Sequence, residues 1–464
     1  MLYYWRIATE INAMMLKRKI YARLLDWKNT SCGRTALMVD GARRIGKSYI
    51  AETFAKREYK SYLMIDFNRP RPGVIEALQE DANDLDFLFA RLSALYGVKL
   101  HRRESLIIFD EVQLFPRARA LIKYLVADGR YDYLETGSLI SLKANIEGIV
   151  IPSEEEHLEM FPLDFEEFLW ALGDETSYDF IRSAYESLRP VGQALNRKFL
   201  NLFRQYLLVG GMPAAVVTYV EQRDFAEVDK VKRGILKLYR DDIGRYAKGY
   251  EMRVRQIFDE IPGQLSKKEK KYRLSSISKS ARSREYEDAF VWLNDAMITN
   301  PCFNSTDPNV GLSLNLDVTT HKLYMGDTGL LVTHAFWDDG YTGNTIYRAV
   351  LADKLSVNEG MLTENVVAQA VRSSGRKLFF YSCGGKTNGE RMEIDFLIKR
   401  DRKICPIEVK SSEFKAHTSL DKFIRKYSSR IDTPYILYTK DVMRRDGVVH
   451  LPIYMASHLV GLQG

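Results

Sequence analysis

The sequence has few cysteines, and nothing in their spacing indicates a metal site. Its 464 residues include four cysteines, none in a CxxC pair and none beside a histidine: Cys32, Cys302, Cys383 and Cys405. Zinc sites and disulfide frameworks need ligands at short, regular spacings, so this distribution argues against both. We expect reduced thiols that are mostly buried.

Long apolar runs are missing as well. The amino-terminal segment is rich in apolar residues, but charged residues such as Arg6, Glu10 and Lys17 interrupt every run. A membrane-spanning helix needs about 20 consecutive apolar residues. The sequence therefore predicts no signal peptide, no transmembrane helix and no membrane partner, and we expect a cytoplasmic protein.

The chain also lacks low-complexity tracts and a strong excess of one charge. It is 46% hydrophobic and 12% aromatic, as folded proteins are. Its 68 basic and 61 acidic residues give a net charge of +7, which is compatible with a nucleic-acid partner but does not require one. The length predicts two to four domains.

The stretch GARRIGKS at residues 41–48 has the pattern of a phosphate-binding loop. It lies between an apolar run at 35–40, which suits a buried parallel strand, and a segment of helical periodicity. The two glycines permit a tight turn, Lys47 would reach the β and γ phosphates, and Ser48 would bind magnesium. The alternative is a glycine turn with an exposed lysine. The predicted nucleotide-binding residues of the loop are Gly41, Ala42, Arg43, Arg44, Ile45, Gly46, Lys47 and Ser48.

Two further strand-like runs end in polar residues suited to nucleotide chemistry. SLIIFDEVQLFP at 105–116 delivers Asp110, which would support the magnesium ion, and Glu111, which would orient or deprotonate the attacking water. The run YDYLETGS ends in Thr136 and Ser138, which can contact the γ phosphate or the water. The alternatives are a solvated strand end and an ordinary turn. Alternating strands and helices predict a parallel α/β core.

The order of motifs resembles prokaryotic AAA-type P-loop ATPases fused to a C-terminal domain of unknown function. The motifs extend over nearly the whole chain from about residue 15: GARRIGKS, LIIFDEVQLFP, TGSL, FPLDFEEFL, YLLVGGMPAAV, LYRDDIGRY, KLYMGDTGLL, EIDFLI and PIEVKSS. The resemblance implies nucleotide binding and ATP hydrolysis. The choice of ATP over GTP rests on the resemblance alone, because a phosphate loop does not read the base.

The sequence departs from this family in the place of one arginine. Members often carry an arginine soon after the Thr-Gly-Ser strand, whereas residues 151–165 are rich in acids here. Arg240 and Arg245 are candidates for the missing arginine. Helix-surface salt bridges to Asp241 or Asp242 explain them equally well.

The middle of the chain is predicted to be helical, with a DNA-binding unit at its end. Residues 176–265 have apolar positions at helical spacing and predict a lid beside the nucleotide. Two further helices, the first over LSSISKSAR, and the strand-like MITNPCF predict a winged helix, in which Arg282 and Arg284 would contact DNA. The alternatives are a packing module and, for the basic run at 267–273, a solvated face.

The carboxyl-terminal region contains a second group of chemically suggestive residues. A hairpin with a two-residue turn would pair Arg400 with Lys403 and place Asp395 across from Glu408. Glu408 and Lys410 would share a face of one strand. Two facing carboxylates repel unless a cation compensates, so a magnesium or manganese ion would be coordinated there.

These residues resemble the PD-(D/E)XK nuclease fold. Asp395, Glu408 and Lys410 match its motif, and Glu364 matches an extra acid from the first helix of such folds. The resemblance implies that Glu364, Asp395 and Glu408 bind metal and that Glu408 and Lys410 are catalytic. The alternatives are a structural ion pair, a surface glutamate and a fold without catalysis. Pro406 predicts an edge strand or irregular pairing, because proline donates no ladder hydrogen bond.

The sequence therefore predicts a multidomain α/β protein. Its parts are an AAA-type P-loop ATPase at 15–172, a helical lid and winged-helix region at 176–334, and a restriction-endonuclease-like α/β domain at 335–464. We expect Mg²⁺-dependent ATP hydrolysis coupled to DNA binding or processing. The alternative is an ATP-dependent switch whose nuclease-like domain only binds DNA or a protein. The sequence contains no signal for an oligomeric state.

Overall fold

The computed structural model describes residues 16–138, 153–267, 271–277, 279, 282–337, 359–384, 391–410 and 418–461. These residues form two compact units. One unit is Arg18–Phe161, and the other is Pro162–Gly464 together with residues 16 and 17.

The unit Arg18–Phe161 is built on a five-stranded parallel sheet. Its strands are β1 (Ala36–Gly41), β2 (Ser61–Asp66), β3 (Ser105–Asp110), β4 (Asp132–Gly137) and β5 (Glu155–Met160). They lie in the order β2-β3-β4-β1-β5, and every neighbouring pair is parallel. The predicted parallel α/β core and its strands at 35–40 and 105–110 are confirmed.

Helices connect these strands and cover the sheet. They are α1 (Ile20–Ser31), α2 (Lys47–Glu58), α3 (Val74–Glu80), α4 (Leu85–Tyr96) and α5 (Pro116–Asp128). On one face of the sheet, Met38, Ile107 and Phe109 pack with Leu88 of α4 and Ile122 of α5. Because each such side chain stabilises the fold by about 1.5–3 kcal/mol when fully buried, this core fixes the strand ends from which the site residues project.

The unit beginning at Pro162 opens with a run of helices. They are α6 (Phe165–Ala171), α7 (Ser177–Ser187), α8 (Gln193–Val209), α9 (Pro213–Gln222), α10 (Phe225–Tyr246) and α11 (Glu251–Ser266). The helical prediction for residues 176–265 is confirmed, and a break between α8 and α9 falls within the VGGMP motif. Proline begins α9, where its missing N–H is not needed. The role of a lid stays a prediction.

The region predicted as a winged helix has one of its two expected helices. Helix α12 spans Ser283–Asp295, and strands β6 (Thr299–Ser305) and β7 (Leu316–Met325) follow as an antiparallel pair. The helix predicted over LSSISKSAR was wrong for the residues described there, which contain a single 3-10 turn at Leu274–Ser276. Serine hydroxyls compete for backbone hydrogen bonds, and Ser276 Oγ donates to the carbonyl of Arg273 at 2.9 Å.

The rest of this unit contains two sheets. Its remaining elements are α13 (Thr328–Ala335), α14 (Glu359–Ser373), β8 (Leu378–Cys383), β9 (Met392–Ile394), β10 (Phe396–Arg400), β11 (Lys403–Val409), α15 (Thr418–Tyr427), β12 (Tyr435–Tyr438), β13 (Met443–Arg445), β14 (Val448–Pro452) and α16 (Ala456–Val460). The sheet orders are β7-β6-β8-β9 and β10-β11-β12-β14-β13. Strands on both sides of the predicted boundary at 334/335 share the first sheet, and the three domain ranges stay a prediction.

Two of the opening expectations concern helices and cysteines. In the described ranges, no helix is both long enough and apolar enough to cross a membrane. All four cysteines are free thiols; Cys302 and Cys405 are buried, whereas Cys32 is exposed.

Candidate functional site

The GARRIGKS loop connects β1 to α2, and its two glycines have backbones that other residues rarely adopt. Gly41 has φ +154°, and a Cβ there would lie 2.4 Å from the carbonyl oxygen of Met160. Gly46 has φ +91° and immediately precedes the first residue of α2. The first position therefore excludes a side chain by space, and the second disfavours one by conformation.

Lys47 is buried against this loop. Its Nζ donates hydrogen bonds of 2.9 Å to the carbonyls of Gly41 and Ala42. Burial lowers the pKa of Lys47, although the charges of Glu111 and Asp110 act in the opposite direction. The alternative of a glycine turn with an exposed lysine was therefore wrong.

Three polar side chains from separate elements meet beside the loop. Ser48 Oγ donates to Asp110 Oδ1 at 2.7 Å, and the hydroxyl of Thr136 donates to the same oxygen. Burial raises the pKa of Asp110, and the two hydroxyls partly reverse this. A hydroxyl and a carboxylate are the oxygen ligands that Mg²⁺ accepts in nucleotide sites, so the donor set fits this ion.

Glu111 is held in an uncommon backbone conformation. Its φ of +56° and ψ of +46° lie in the left-handed region, which costs energy for a residue with a side chain. Its N–H donates to Thr136 Oγ1 at 3.2 Å, and its carboxylate accepts a hydrogen bond from the Gln113 amide. The sequence did not single out Gln113, whose only signal was its position two residues after the glutamate.

The other predicted loop residues divide by burial. Ala42 and Ile45 are buried, whereas Arg43 and Arg44 are exposed. Ser138 follows the end of β4 and is half-buried.

Sequence reasoning missed Arg18, whose buried guanidinium donates to the carbonyls of Ile45 at 3.1 Å and Phe161 at 2.6 Å. This arginine fixes the loop from a position 27 residues earlier.

A charged network, buried except at His157, lies on one face of the sheet, next to the start of the loop. Arg119 of α5 makes two hydrogen bonds to Glu155, at 3.0 and 2.6 Å. His157 bridges Glu155 at 2.8 Å and Asp40 at 3.3 Å. Asp40 immediately precedes Gly41, so the network reaches the loop through adjacent backbone.

The groups of this network have strongly shifted pKa values. Hydrogen bonds to Asp40 and Glu155 raise the pKa of His157 to about 9. Burial raises the pKa of Glu135 well above its usual range, and neighbouring Glu155 adds to the effect. Burial acts on Glu155 in the same direction, but hydrogen bonds from His157 and Arg119 lower its pKa to about 2. Burial therefore favours the neutral form of Glu135, whereas the hydrogen bonds of Glu155 and His157 favour their charged forms.

Arg240, one candidate for the missing arginine, has a partner other than those predicted. Its Nη2 lies 2.9 Å from Asp259 Oδ1, and its guanidinium lies 4.2 Å from the ring centroid of Trp337. The suggested salt bridges to Asp241 or Asp242 stay a prediction. Arg245 is exposed.

The carboxyl-terminal hairpin has the predicted register. Arg400 pairs with Lys403 and Phe396 with Ile407, so Asp395 and Glu408 are the next residues along the two strands. The edge position predicted for the strand of Pro406 was wrong, because β11 lies between β10 and β12. Irregular pairing is confirmed, since the ladder from β11 to β12 begins only at Ile407, after an isolated bridge at Ile404.

The predicted residues of the hairpin and of α14 form a cluster of charges. Lys410 Nζ donates to Glu408 Oε1 at 2.6 Å, and Asp395 Oδ2 accepts from the N–H of Val409 at 2.8 Å. Glu364 accepts from the hydroxyl of Tyr324 at 3.1 Å. Burial and the charge of Asp395 raise the pKa of Glu408 to about 7.

The cluster does not fit the predicted metal site. In the part of the chain that the structure describes, no group of three or more histidine, cysteine or acidic side chains is arranged to hold a metal ion. A lysine from β7 stands among the acids instead: Lys322 Nζ lies 3.0 Å from Glu393 Oε1 and 3.9 Å from Glu364 Oε2. Neither Lys322 nor Glu393 was predicted, and sequence spacing gave no signal for them.

Comparison with known families agrees with the first of the two sites. Residues 33–169 match the family described as an AAA domain. Residues 200–340 match a domain of unknown function, DUF8612, and residues 359–455 match another, DUF4143. No curated protein matches the sequence.

Solved structures with similar segments are distant. The Walker-type ATPase PABY2304 of Pyrococcus abyssi is 15% identical over 69% of this chain and 96% of that chain, with a TM-score of 0.42. Protein VC1899 from Vibrio cholerae is 10% identical over 92% of this chain and 96% of its own, with a TM-score of 0.19. The Hef helicase domain of Pyrococcus furiosus is 14% identical over 60% of this chain and 68% of its own, with a TM-score of 0.18. These scores are too low to support an argument.

The family match and the geometry of the loop agree for the amino-terminal unit. The match contains β1, the phosphate loop, Asp110 and Thr136 within one segment. Residues 33–169 match an AAA domain and have the parallel sheet and phosphate loop of a P-loop core, and the segments that follow match two domains of unknown function.

Proposed function

We propose that this protein hydrolyses ATP with Mg²⁺ as a cofactor. The observation that supports the proposal most directly is the contact of Ser48 and Thr136 with one oxygen of Asp110, beside a lysine held over the loop. P-loop ATPases use a hydroxyl and a carboxylate for magnesium and a lysine for the phosphates.

Ser48 and Asp110 are the residues that would hold the magnesium ion. When bound, the ion would neutralise charge that develops on the phosphates. The N–H groups of the loop and of the first turn of α2 favour an anion at the same position. Lys47 would exchange its bonds to two loop carbonyls for bonds to phosphate oxygens.

Glu111 is the residue that we propose acts on the attacking water. Its carboxylate is a hydrogen-bond acceptor, and the Gln113 amide and Thr136 restrict its position. A carboxylate so positioned can orient a water molecule and accept its proton. Thr136 contacts both acids, so it would keep Glu111 in a fixed relation to Asp110.

Phosphate release from ATP tests this proposal. We expect release by the full chain with Mg²⁺, none with excess chelator, and loss of both ATP binding and release in Lys47→Ala. Lys56→Ala is the matched control, because Lys56 lies on the same helix but pairs on the surface with Glu52 at 2.8 Å. Equal release by Lys47→Ala and Lys56→Ala would contradict the proposal.

We also propose DNA as the partner that ATP turnover serves. The support is the exposure of Arg282 and Arg284 at the start of α12, ahead of the β6–β7 hairpin, which is the order of elements that a winged helix presents to DNA. In this proposal the carboxyl-terminal region has a nuclease-like fold and works as a binding domain. Cleavage by Glu408 and Lys410 stays a prediction.

One assay tests DNA binding, and a second tests whether the carboxyl-terminal region also cleaves DNA. Double-stranded DNA should bind the wild type in a gel-shift assay and bind Arg282→Ala/Arg284→Ala at least about tenfold more weakly, since each lost phosphate contact lowers affinity. Arg189→Ala/Arg197→Ala removes two other exposed arginines and should bind normally. Cutting that requires Mg²⁺ or Mn²⁺ and disappears in Glu408→Ala would show that the domain is a nuclease and not only a binding domain.

A further inference from the structure

Lys322 is a buried cation in the carboxyl-terminal acid cluster. It lies on β7, opposite Cys302 of β6, and its side chain is only 7% exposed. Its Nζ is 3.0 Å from Glu393 and 3.9 Å from Glu364. A buried ammonium is unfavourable unless acids compensate for the loss of water. The carboxylates of Glu393 and Glu364 within ion-pair distance of Nζ provide this compensation.

The charges of the cluster divide into two local sets. Lys410 Nζ is 2.6 Å from Glu408 and therefore serves that acid. Lys322 forms ion pairs with Glu364 and Glu393, while the N–H of Val409 donates a hydrogen bond to Asp395. Lys410 is 29% exposed on its side chain, whereas Lys322 is almost closed off. Lys322 is therefore placed to balance charge inside the protein, and its side chain is too buried to contact a substrate.

The lysine and the acids come from different matched segments. Lys322 lies in residues 200–340, and the acids lie in residues 359–455. The cluster is therefore composite, because residues 359–455 do not include Lys322.

We propose that Lys322 is the built-in counter-ion of Glu364 and Glu393 and takes the electrostatic place that a divalent cation has in nuclease-like sites. This ammonium lies within ion-pair distance of both acids and offsets their mutual repulsion. Removing the ammonium while keeping the acids should leave a vacant cation site made of carboxylate oxygens, which Mn²⁺ binds well. This inference concerns a different site from the ATPase and does not depend on ATP hydrolysis.

Manganese binding by the full, nucleotide-free chain tests the proposal, with bound Mn²⁺ counted by electron paramagnetic resonance. Every variant also carries Asp110→Asn, so that the nucleotide site does not contribute. We expect Lys322→Met to bind Mn²⁺ at least tenfold more tightly than the parent. Lys322→Arg keeps the charge and should behave like the parent. Lys322→Met/Glu364→Gln should lose the gain.

Lys399→Met is the matched control, because Lys399 is an exposed lysine of β10 and its loss should leave Mn²⁺ binding unchanged. Equal or weaker Mn²⁺ binding by Lys322→Met than by the parent would overturn the proposal. If Lys322→Met does not fold in metal-free buffer, we expect it to fold when Mn²⁺ is present during refolding. Failure to fold with and without Mn²⁺ would also overturn the proposal.

Discussion

Gly329 and Gly210 pack backbone against backbone: a Cβ on Gly329 would lie 2.5 Å from both the Cα and the N of Gly210. The two glycines belong to the motifs GDTGLL and VGGMP, which lie more than a hundred residues apart along the chain. Asp327 fastens the contact, because its carboxylate accepts from the N–H groups of Gly211 at 2.6 Å and Leu330 at 2.8 Å. These motifs join α8 and α13 in one buried core.

Gly329→Ala should therefore destabilise the protein. The new methyl group meets main-chain atoms that cannot move aside as a side chain can, and overpacking of this kind costs about 1–3 kcal/mol. The change in free energy of unfolding can be measured by urea denaturation. Gly234→Ala is the control: Gly234 lies inside α10 with open space around it, so alanine should stabilise by up to about 1 kcal/mol. Equal effects at the two positions would contradict the close contact.

Two glutamates of the buried network should respond differently to glutamine. Burial raises the pKa of Glu135 and so favours its neutral form. Glutamine is a neutral group of the same size, so Glu135→Gln should change the free energy of unfolding by less than about 1 kcal/mol. Glu155→Gln removes the charge that Arg119 and His157 contact and should cost about 2–3 kcal/mol. Urea denaturation at pH 7 compares them. A larger loss for Glu135→Gln would show that this residue is ionised.

His157 should make the free energy of unfolding depend on pH above about pH 6.5. Its pKa is raised from 6.5 to about 9 in the folded protein, first by Asp40 and then by Glu155. A raised pKa contributes stability that is fully present below the unfolded value and is lost as pH rises through the folded value. The wild type should therefore lose stability between about pH 6.5 and 9 relative to His157→Gln. Because the side chain is 44% exposed, solvent limits the difference to about 1 kcal/mol. If the free energies of unfolding of the wild type and of His157→Gln, measured by urea denaturation, changed equally with pH over this range, the contacts of His157 with Asp40 and Glu155 would contribute nothing to stability.

Local sequence patterns were sufficient for the features that depend on neighbouring residues. The runs at 35–40 and 105–110 are apolar because β1 and β3 are buried throughout, and the two-residue turn after Arg400 fixed the hairpin register. The first helix of the predicted winged helix was harder to predict. Serines in LSSISKSAR compete with the helix, a local effect that apolar spacing did not reveal.

Contacts between distant segments could not be predicted in this way. Arg18 reaches Ile45 and Phe161 only because the fold brings α1 beside the loop. Lys322 reaches Glu393 because β6 pairs with β7 on one side and β8 on the other. No spacing along the chain encodes either contact, and the predicted metal site at Glu364, Asp395 and Glu408 stays a prediction.

ATP hydrolysis by Glu111→Gln tests the central proposal most directly. Glutamine keeps the size of the side chain and an oxygen acceptor for Gln113, but it cannot take a proton from water. We expect ATP binding to remain near the wild-type value and the rate of phosphate release to fall by about 100-fold or more, the usual contribution of a general base. Glu104→Gln, an exposed acid before β3, should leave both unchanged. Phosphate release by Glu111→Gln at the wild-type rate, or a wild type that does not hydrolyse ATP with Mg²⁺, would contradict the account.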